Sequence, residues 1–153
     1  MNHPLDQLIS EERIDQVVRE CAQLVRDEVA RKRGMSGVVI KTGFKLVEKV
    51  RPSIINDLFY SLLPAFVERL RPFYDAYLEQ GETHLTGLSD YLISRSTEVA
   101  SSLLEVTDDR AQRSTMSALV GAYRKLRPLA MDQIAAAVPM LGALIERQVS
   151  RKG

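Results

Sequence analysis

Between Ile14 and Val29 the apolar residues Ile14, Val17, Val18, Cys21, Leu24, Val25 and Val29 recur mostly three or four positions apart. Residues at that spacing share one face of an α-helix, whereas a half-buried strand needs strict alternation. The same spacing returns in Met116, Leu119, Val120, Tyr123 and Leu126, and again in Ile134, Val138, Leu141, Leu144, Ile145 and Val149. No stretch alternates over a useful length with strand-forming residues. The β-branched run "GVVI" at 37–40 has flanks that suit a helix better. This periodicity predicts an all-α chain.

Caps and prolines place the expected boundaries. Ser10 reads as the cap of a first helix opened by Glu11 and Glu12 and closed by "RKRG", with Gly34 as its C-terminal cap. A second helix covers Gly37 to Val50, because Pro52 pushes Arg51 out of helical geometry. A third runs from Ser53 to Leu62, and Pro64 and Pro72 then open two short helices, "PAFVERL" and "PFYDAYLEQ". After a loop, "GETHLTG", Ser89 caps a helix that carries Tyr91 to Leu104. Thr107 or Asp108 opens another, Pro128 ends it, and the last helix kinks or restarts at Pro139. The expectation is a single all-helical domain over 1–153, with 1–9 frayed and 150–153 flexible. It is a compact irregular or orthogonal bundle of six to eight helices, several of them short and proline-delimited. With 45% hydrophobic residues the chain can bury a core without staples, and its one cysteine rules out an internal disulfide.

Net charge is +1, but it is segregated. Residues 1–30 sum to −4, 31–52 to +6, 53–110 to −6 and 111–153 to +5. Either basic and acidic helices complement each other internally, or a basic face meets an external anion or acidic partner. On a helix over 37–50, Lys41, Lys45 and Lys49 share one face and repel each other by a few tenths of a kcal/mol per pair, so something must offset them. Glu20, Asp27, Glu28 and the acids of 75–90 are internal candidates. "KVRP", "RLRP" and "KLRP" end at 52, 72 and 128. They read as basic helix ends stopped by proline, or as an arginine cluster of Arg51, Arg71 and Arg127. The candidate anion- or partner-binding residues are therefore Arg31, Lys32, Arg33, Lys41, Lys45, Lys49, Arg51, Arg71 and Arg127.

The usual catalytic patterns fail on spacing. "GMSGVVIKTG" resembles a phosphate loop only faintly: aligning Lys41 and Thr42 with G-x-x-x-x-G-K-[ST] puts Met35 and Ile40 where glycines belong. His3 and His84 lack a compact ligand set. Cys21 lies within an apolar stripe and reads as an inert buried thiol. The acid pairs Glu11–Glu12 and Asp108–Asp109 read as helix-start residues. No catalytic residue, metal ligand or cofactor is assigned. The crowded aromatics Phe59, Tyr60, Phe66, Phe73, Tyr74 and Tyr77 read as core filling. The N-terminus does not look like a signal peptide, and the apolar run 134–145 would rise only about 18 Å as a helix, too short to span a bilayer. The chain reads as soluble and cytoplasmic.

The stretches "SGVVIKTGFKLVEKVRP", "LLPAFVERLRPFYDAY" and "LSDYLISRSTEVASSLLEVTDDRAQRS" resemble a family of small uncharacterised bacterial proteins, best represented in actinobacteria. The resemblance covers roughly 35–148, with marks at Gly37, Lys41, Gly43, Lys49, Pro52, Leu63, Pro64, Phe66, Pro72, Tyr91, Leu92, Thr107, Asp108 and Arg110. It implies a bacterial cytosolic helical protein and no particular activity. Three functional readings stand. The first is a non-catalytic interaction or scaffold protein, pairing with a second copy through its apolar last helix or with an acidic protein surface. The second is a nucleic-acid or anionic-surface binder. The third is an enzyme or small-ligand carrier with an interhelical pocket.

Overall fold

The four prolines that punctuate the middle and end of the sequence do not interrupt its helices. The computed structural model describes residues 3–80 and 87–149. A 3-10 helix, Pro4–Ile9, leads into α1 (Ile14–Arg31), α2 (Gly34–Glu48), α3 (Ile54–Glu79), α4 (Leu88–Ser94), α5 (Ser96–Arg113) and α6 (Ser117–Val149). Among the described residues this is an all-α bundle of seven helices without a strand. His84 and most of the "GETHLTG" segment lie outside the described residues.

The short helices expected at Pro64 and Pro72 are absent: both residues lie inside the 26-residue α3. Pro128 and Pro139 likewise lie inside the 33-residue α6. An internal proline costs about 3 kcal/mol, by removing one hydrogen bond and crowding the carbonyl four residues back. Pro64, Pro72 and Pro128 are exposed, and the carbonyls they free belong to the exposed residues Tyr60, Glu68 and Arg124, where water can replace the lost bond. Long helices curve with their convex side toward solvent, which is the side these prolines occupy. Packing of the opposite face outweighs the local penalty.

Other boundaries move for local reasons. The Ser10 hydroxyl donates to the Gln7 carbonyl (3.0 Å) and closes the 3-10 helix, so it does not cap α1. Gly34 has φ +74° and is the first residue of α2, so its conformational freedom turns the chain between helices and does not cap α1. The helix expected from Ser89 through Leu104 divides at Arg95, where the Ser94 hydroxyl takes the Tyr91 carbonyl (2.6 Å) in competition with the backbone. Thr107 to Arg110 start no helix; they continue α5.

The described part of the segment expected to fray packs onto the bundle. Leu5 and Leu8 are buried in the main core. His3 Nδ1 accepts from the Leu5 N–H (3.0 Å), and Asp6 accepts from the His3 N–H (3.0 Å), which together cap the 3-10 helix. Because Nδ1 is an acceptor, Nε2 carries the proton and donates to Asp75 Oδ1 at 2.7 Å. This ties the N-terminus to α3.

α6 is the centre of the bundle. It packs against α1, α2, α4, α5 and the 3-10 helix, while α3 packs on α1, α5 and the 3-10 helix. Two glycines allow the closest approaches to α6: a Cβ on Gly43 would lie 2.7 Å from Leu126 Cδ2, and one on Gly142 would lie 2.6 Å from the Ser89 Cα. Gly121 in the same helix has nothing within 4 Å of an added Cβ. Urea unfolding should separate these roles. Gly121→Ala should stabilise by about 0.5–1 kcal/mol through helix propensity, whereas Gly142→Ala should destabilise by about 1–3 kcal/mol because a backbone atom blocks it.

Candidate ligand cavity

The apolar face of α6 is only half-buried along much of its length, with none of its large apolar side chains fully exposed. Its most apolar 18-residue window has a mean hydropathy of 1.5, yet only 22% of that window is buried within the protein. The run 134–145 is thus part of a much longer apolar helix, which by length and composition alone could cross a bilayer. Here it is seated among α1, α2, α4 and α5. Tyr123, Leu126, Ala130, Gln133, Ala137, Leu141 and Leu144 follow helical spacing along it, and all line one cavity of about 380 Å³.

The cavity lies between α3 and α6. These two longest helices have next to no close backbone approach, although each packs on α1 and α5. Phe59, Leu63, Phe66, Val67 and Leu70 form the α3 wall. Val17, Cys21, Leu24, Val25 and Val29 of α1, together with Ile40 and Phe44 of α2, close further sides. Leu103, Leu104 and Thr107 of α5 complete the lining. Much of the α1 stripe read from the sequence is therefore cavity wall as well as core.

Few polar groups line the cavity, and most are engaged. Glu28 accepts from Arg31 (2.6 Å). The Thr107 hydroxyl lies 2.8 Å from the Tyr123 hydroxyl, which donates to Asp108 Oδ1. Asp108 in turn accepts from Arg127 through Nε (2.8 Å) and a terminal nitrogen (3.0 Å). That fork holds the Asp108 carboxyl below the usual carboxylate range; burial opposes it, and the Tyr123 hydroxyl adds to it. Burial, reinforced by the bond to Asp108, pushes the Tyr123 phenol up to about 12. Burial, with the Glu20 carboxylate nearby, likewise pushes the Cys21 thiol up to about 12, so at neutral pH it is not a thiolate nucleophile. Gln133 is the remaining polar lining residue.

The basic residues singled out in the sequence divide into two groups. Arg31 pairs with Glu28, Arg51 with Asp57 (2.8 Å), Arg71 with Asp6 (2.7 Å) and Arg127 with Asp108. Arg51, Arg71 and Arg127 thus pair with different acids, and their ion pairs share no residue. Among the described residues no ion pair engages Lys32, Arg33, Lys41, Lys45 or Lys49. Of the internal neighbours expected for the lysine line, Glu20 holds Arg147 (3.1 Å), Asp27 accepts from Gln23 (2.8 Å), Glu28 holds Arg31 and Asp75 accepts from His3, while Glu82 lies outside the described residues. Asp108 and Asp109 sit near the end of α5, not at a helix start, where Arg127 and Arg113 offset an unfavourable placement. Among the described residues no group of three His, Cys, Asp or Glu side chains is placed to hold a metal ion.

The cavity itself could not have been read from the residues. Its walls carry mostly ordinary core residues, and its few polar groups, Glu28, Thr107, Tyr123 and Gln133, are scattered along the chain.

Fold and cavity define the class: an all-α bundle built around one apolar helix, with a hydrocarbon-lined space between its two longest helices. The chain belongs to a family of unknown function (DUF6918), which it matches over residues 5–149. No curated protein and no solved structure matches it.

The Asp108 network predicts a pH signature. A carboxylate with a lowered folded pKa contributes stability in full above its ordinary value, and the contribution fades as pH falls through the lowered one. Asp108→Asn should cost about 1 kcal/mol at neutral pH, the range of a partly exposed pair. In urea unfolding that deficit should narrow toward about pH 3, below the ordinary carboxylate value. A deficit that grew toward acid would contradict this assignment.

Proposed function

We propose that this protein is a binding protein for a small, largely hydrocarbon ligand carried between α3 and α6, with no chemistry performed on it. Of the three readings left open by the sequence, this is the carrier form of the last. One observation carries it: the largely half-buried apolar stripe of α6 lines a cavity of about 380 Å³. Left empty and closed, such a cavity would cost on the order of 9 kcal/mol at about 24 cal/mol per Å³. That rivals the whole net stability of a typical domain, about 5–15 kcal/mol. Left open, it would expose its apolar lining to water. A bound apolar molecule removes both penalties, and the volume lies within the usual range of small-molecule sites, about 300–1,000 Å³.

The polar lining favours an uncharged polar group on the ligand. Arg31 and Arg127, the cations held by lining or lining-adjacent acids, are already neutralised by Glu28 and Asp108. Gln133 is the lining group placed to meet a hydroxyl or carbonyl. The polar lining groups also argue against catalysis. Glu28, Thr107 and Tyr123 are satisfied by neighbours, and the Cys21 thiol and Tyr123 phenol are held protonated.

Binding of the uncharged fluorophore N-phenyl-1-naphthylamine tests the reading. Its emission should rise on mixing with the protein, and dodecanol should displace it more effectively than dodecanoate. Ala137→Phe and, independently, Ala130→Leu should fill the cavity and weaken probe binding by about tenfold or more, a loss of about 1.4 kcal/mol. At least one should also raise the unfolding midpoint, because added side-chain volume replaces void. Absence of probe binding, or undiminished binding in both filled variants, would sink the carrier reading.

A further inference from the structure

α2 is apolar on two sides, and the cavity uses only one of them. Ile40 and Phe44 line the cavity, and Gly43 lies against Leu126. On the other side Met35 is 81% exposed, Val38 59% and Val39 40%. At helical spacing these three share the outer face with Thr42, Lys45 and Lys49, all exposed, while half-buried Lys41 flanks them. Lys32 and Arg33 precede the helix. Glu48, the single acid between 31 and 52, faces Arg26 of α1 at 3.8 Å. The outer face and its flanks therefore combine protruding apolar side chains with five cations, Lys32, Arg33, Lys41, Lys45 and Lys49, that make no ion pair among the described residues.

Each feature taken alone is ordinary; together they select a partner. A second copy of the chain would set the same unpaired cations against one another. A nucleic-acid duplex would satisfy the cations but press Met35, Val38 and Val39 against phosphates. An anionic bilayer answers both features, because headgroups neutralise the lysines while the apolar side chains enter the boundary between headgroups and acyl chains. We propose that the outer face of α2 docks on anionic lipid bilayers, with Met35, Val38 and Val39 inserted and Lys32, Arg33, Lys41, Lys45 and Lys49 against the headgroups. The same helix walls the cavity, so docking sets the cavity beside a hydrocarbon phase from which an apolar ligand can pass. That passage rests on the carrier reading, whereas the docking does not.

Co-sedimentation of the full chain with vesicles tests the docking. Binding to vesicles of equal parts phosphatidylglycerol and phosphatidylcholine should be about tenfold or more tighter than to pure phosphatidylcholine, and should weaken as salt rises. The triple variant Lys41→Glu, Lys45→Glu, Lys49→Glu should abolish it. Met35→Asp with Val38→Asp should weaken it by about tenfold or more. All these positions are on the outer or flanking surface, and unchanged helical circular dichroism certifies the variants. Ala137→Phe, which fills the cavity, should still bind vesicles, so the docking and the carrier reading fail separately. Equal binding to both vesicle types, no binding, insensitivity to either variant set, or preference for duplex DNA over vesicles would overturn the proposal.

Discussion

The organisation of this protein follows from one long apolar helix that its neighbours surround without packing tightly along its whole length. α6 contacts α1, α2, α4, α5 and the 3-10 helix, yet much of its apolar stripe is only half-buried. Close packing would require α3 to press onto it. Instead α1 and α5 stand against both long helices and hold them apart. Interiors normally reach crystal-like density, so a space of about 380 Å³ at the centre is not a minor packing fault. The core shares walls with this space, through Val17, Leu63, Val67 and Leu103, and extends beyond it. Leu5, Leu8, Leu88 and Leu92 meet Leu144, Ile145 and Val149, while a smaller cluster around Ala22, Ile54 and Ile55 ties α1 to α3.

Charge is apportioned with the same economy. The arginines are largely used within the fold: Arg13 donates to the Gln148 carbonyl (2.8 Å), Arg71 reaches Asp6, and Arg127 grips Asp108 across two helices. The lysines of α2 are left over. This division suits the chemistry of the two side chains. The planar guanidinium makes paired, directed bonds within a fold, while the ammonium is a strongly hydrated point charge that remains at the surface. The opposing charge blocks of the sequence are therefore only partly an internal match.

Helix type was legible because spacing alone carries it. The stripes in α1 and α6 are local patterns, and the core residues Val17, Val18, Val138, Leu144 and Ile145 lie on them. The thiol of Cys21 was legible for the same reason, since a cysteine within an apolar stripe goes where the stripe goes. Boundaries were less legible wherever a rule about proline or capping had a competitor. Pro64 and Pro128 signal helix starts or stops only if no packed face holds the helix together across them. Ser10 signals an α-helix cap only if its hydroxyl is not already closing another helix. The N-terminal residues Leu5 and Leu8 carried too short a pattern to announce that they belong to the core.

By itself the sequence determined the all-helical class, the segregation of charge along the chain and the absence of a phosphate loop, because each depends on residues near one another in the chain. The tertiary structure decided which apolar stripe meets side chains and which meets empty space, which cations find acids, and that Thr107, Asp108, Tyr123 and Arg127 form one network. Those outcomes depend on the distance between helices and on which faces meet. No local pattern encodes that distance: a leucine that packs against a neighbour and a leucine that lines a cavity occupy the same position on the helical stripe.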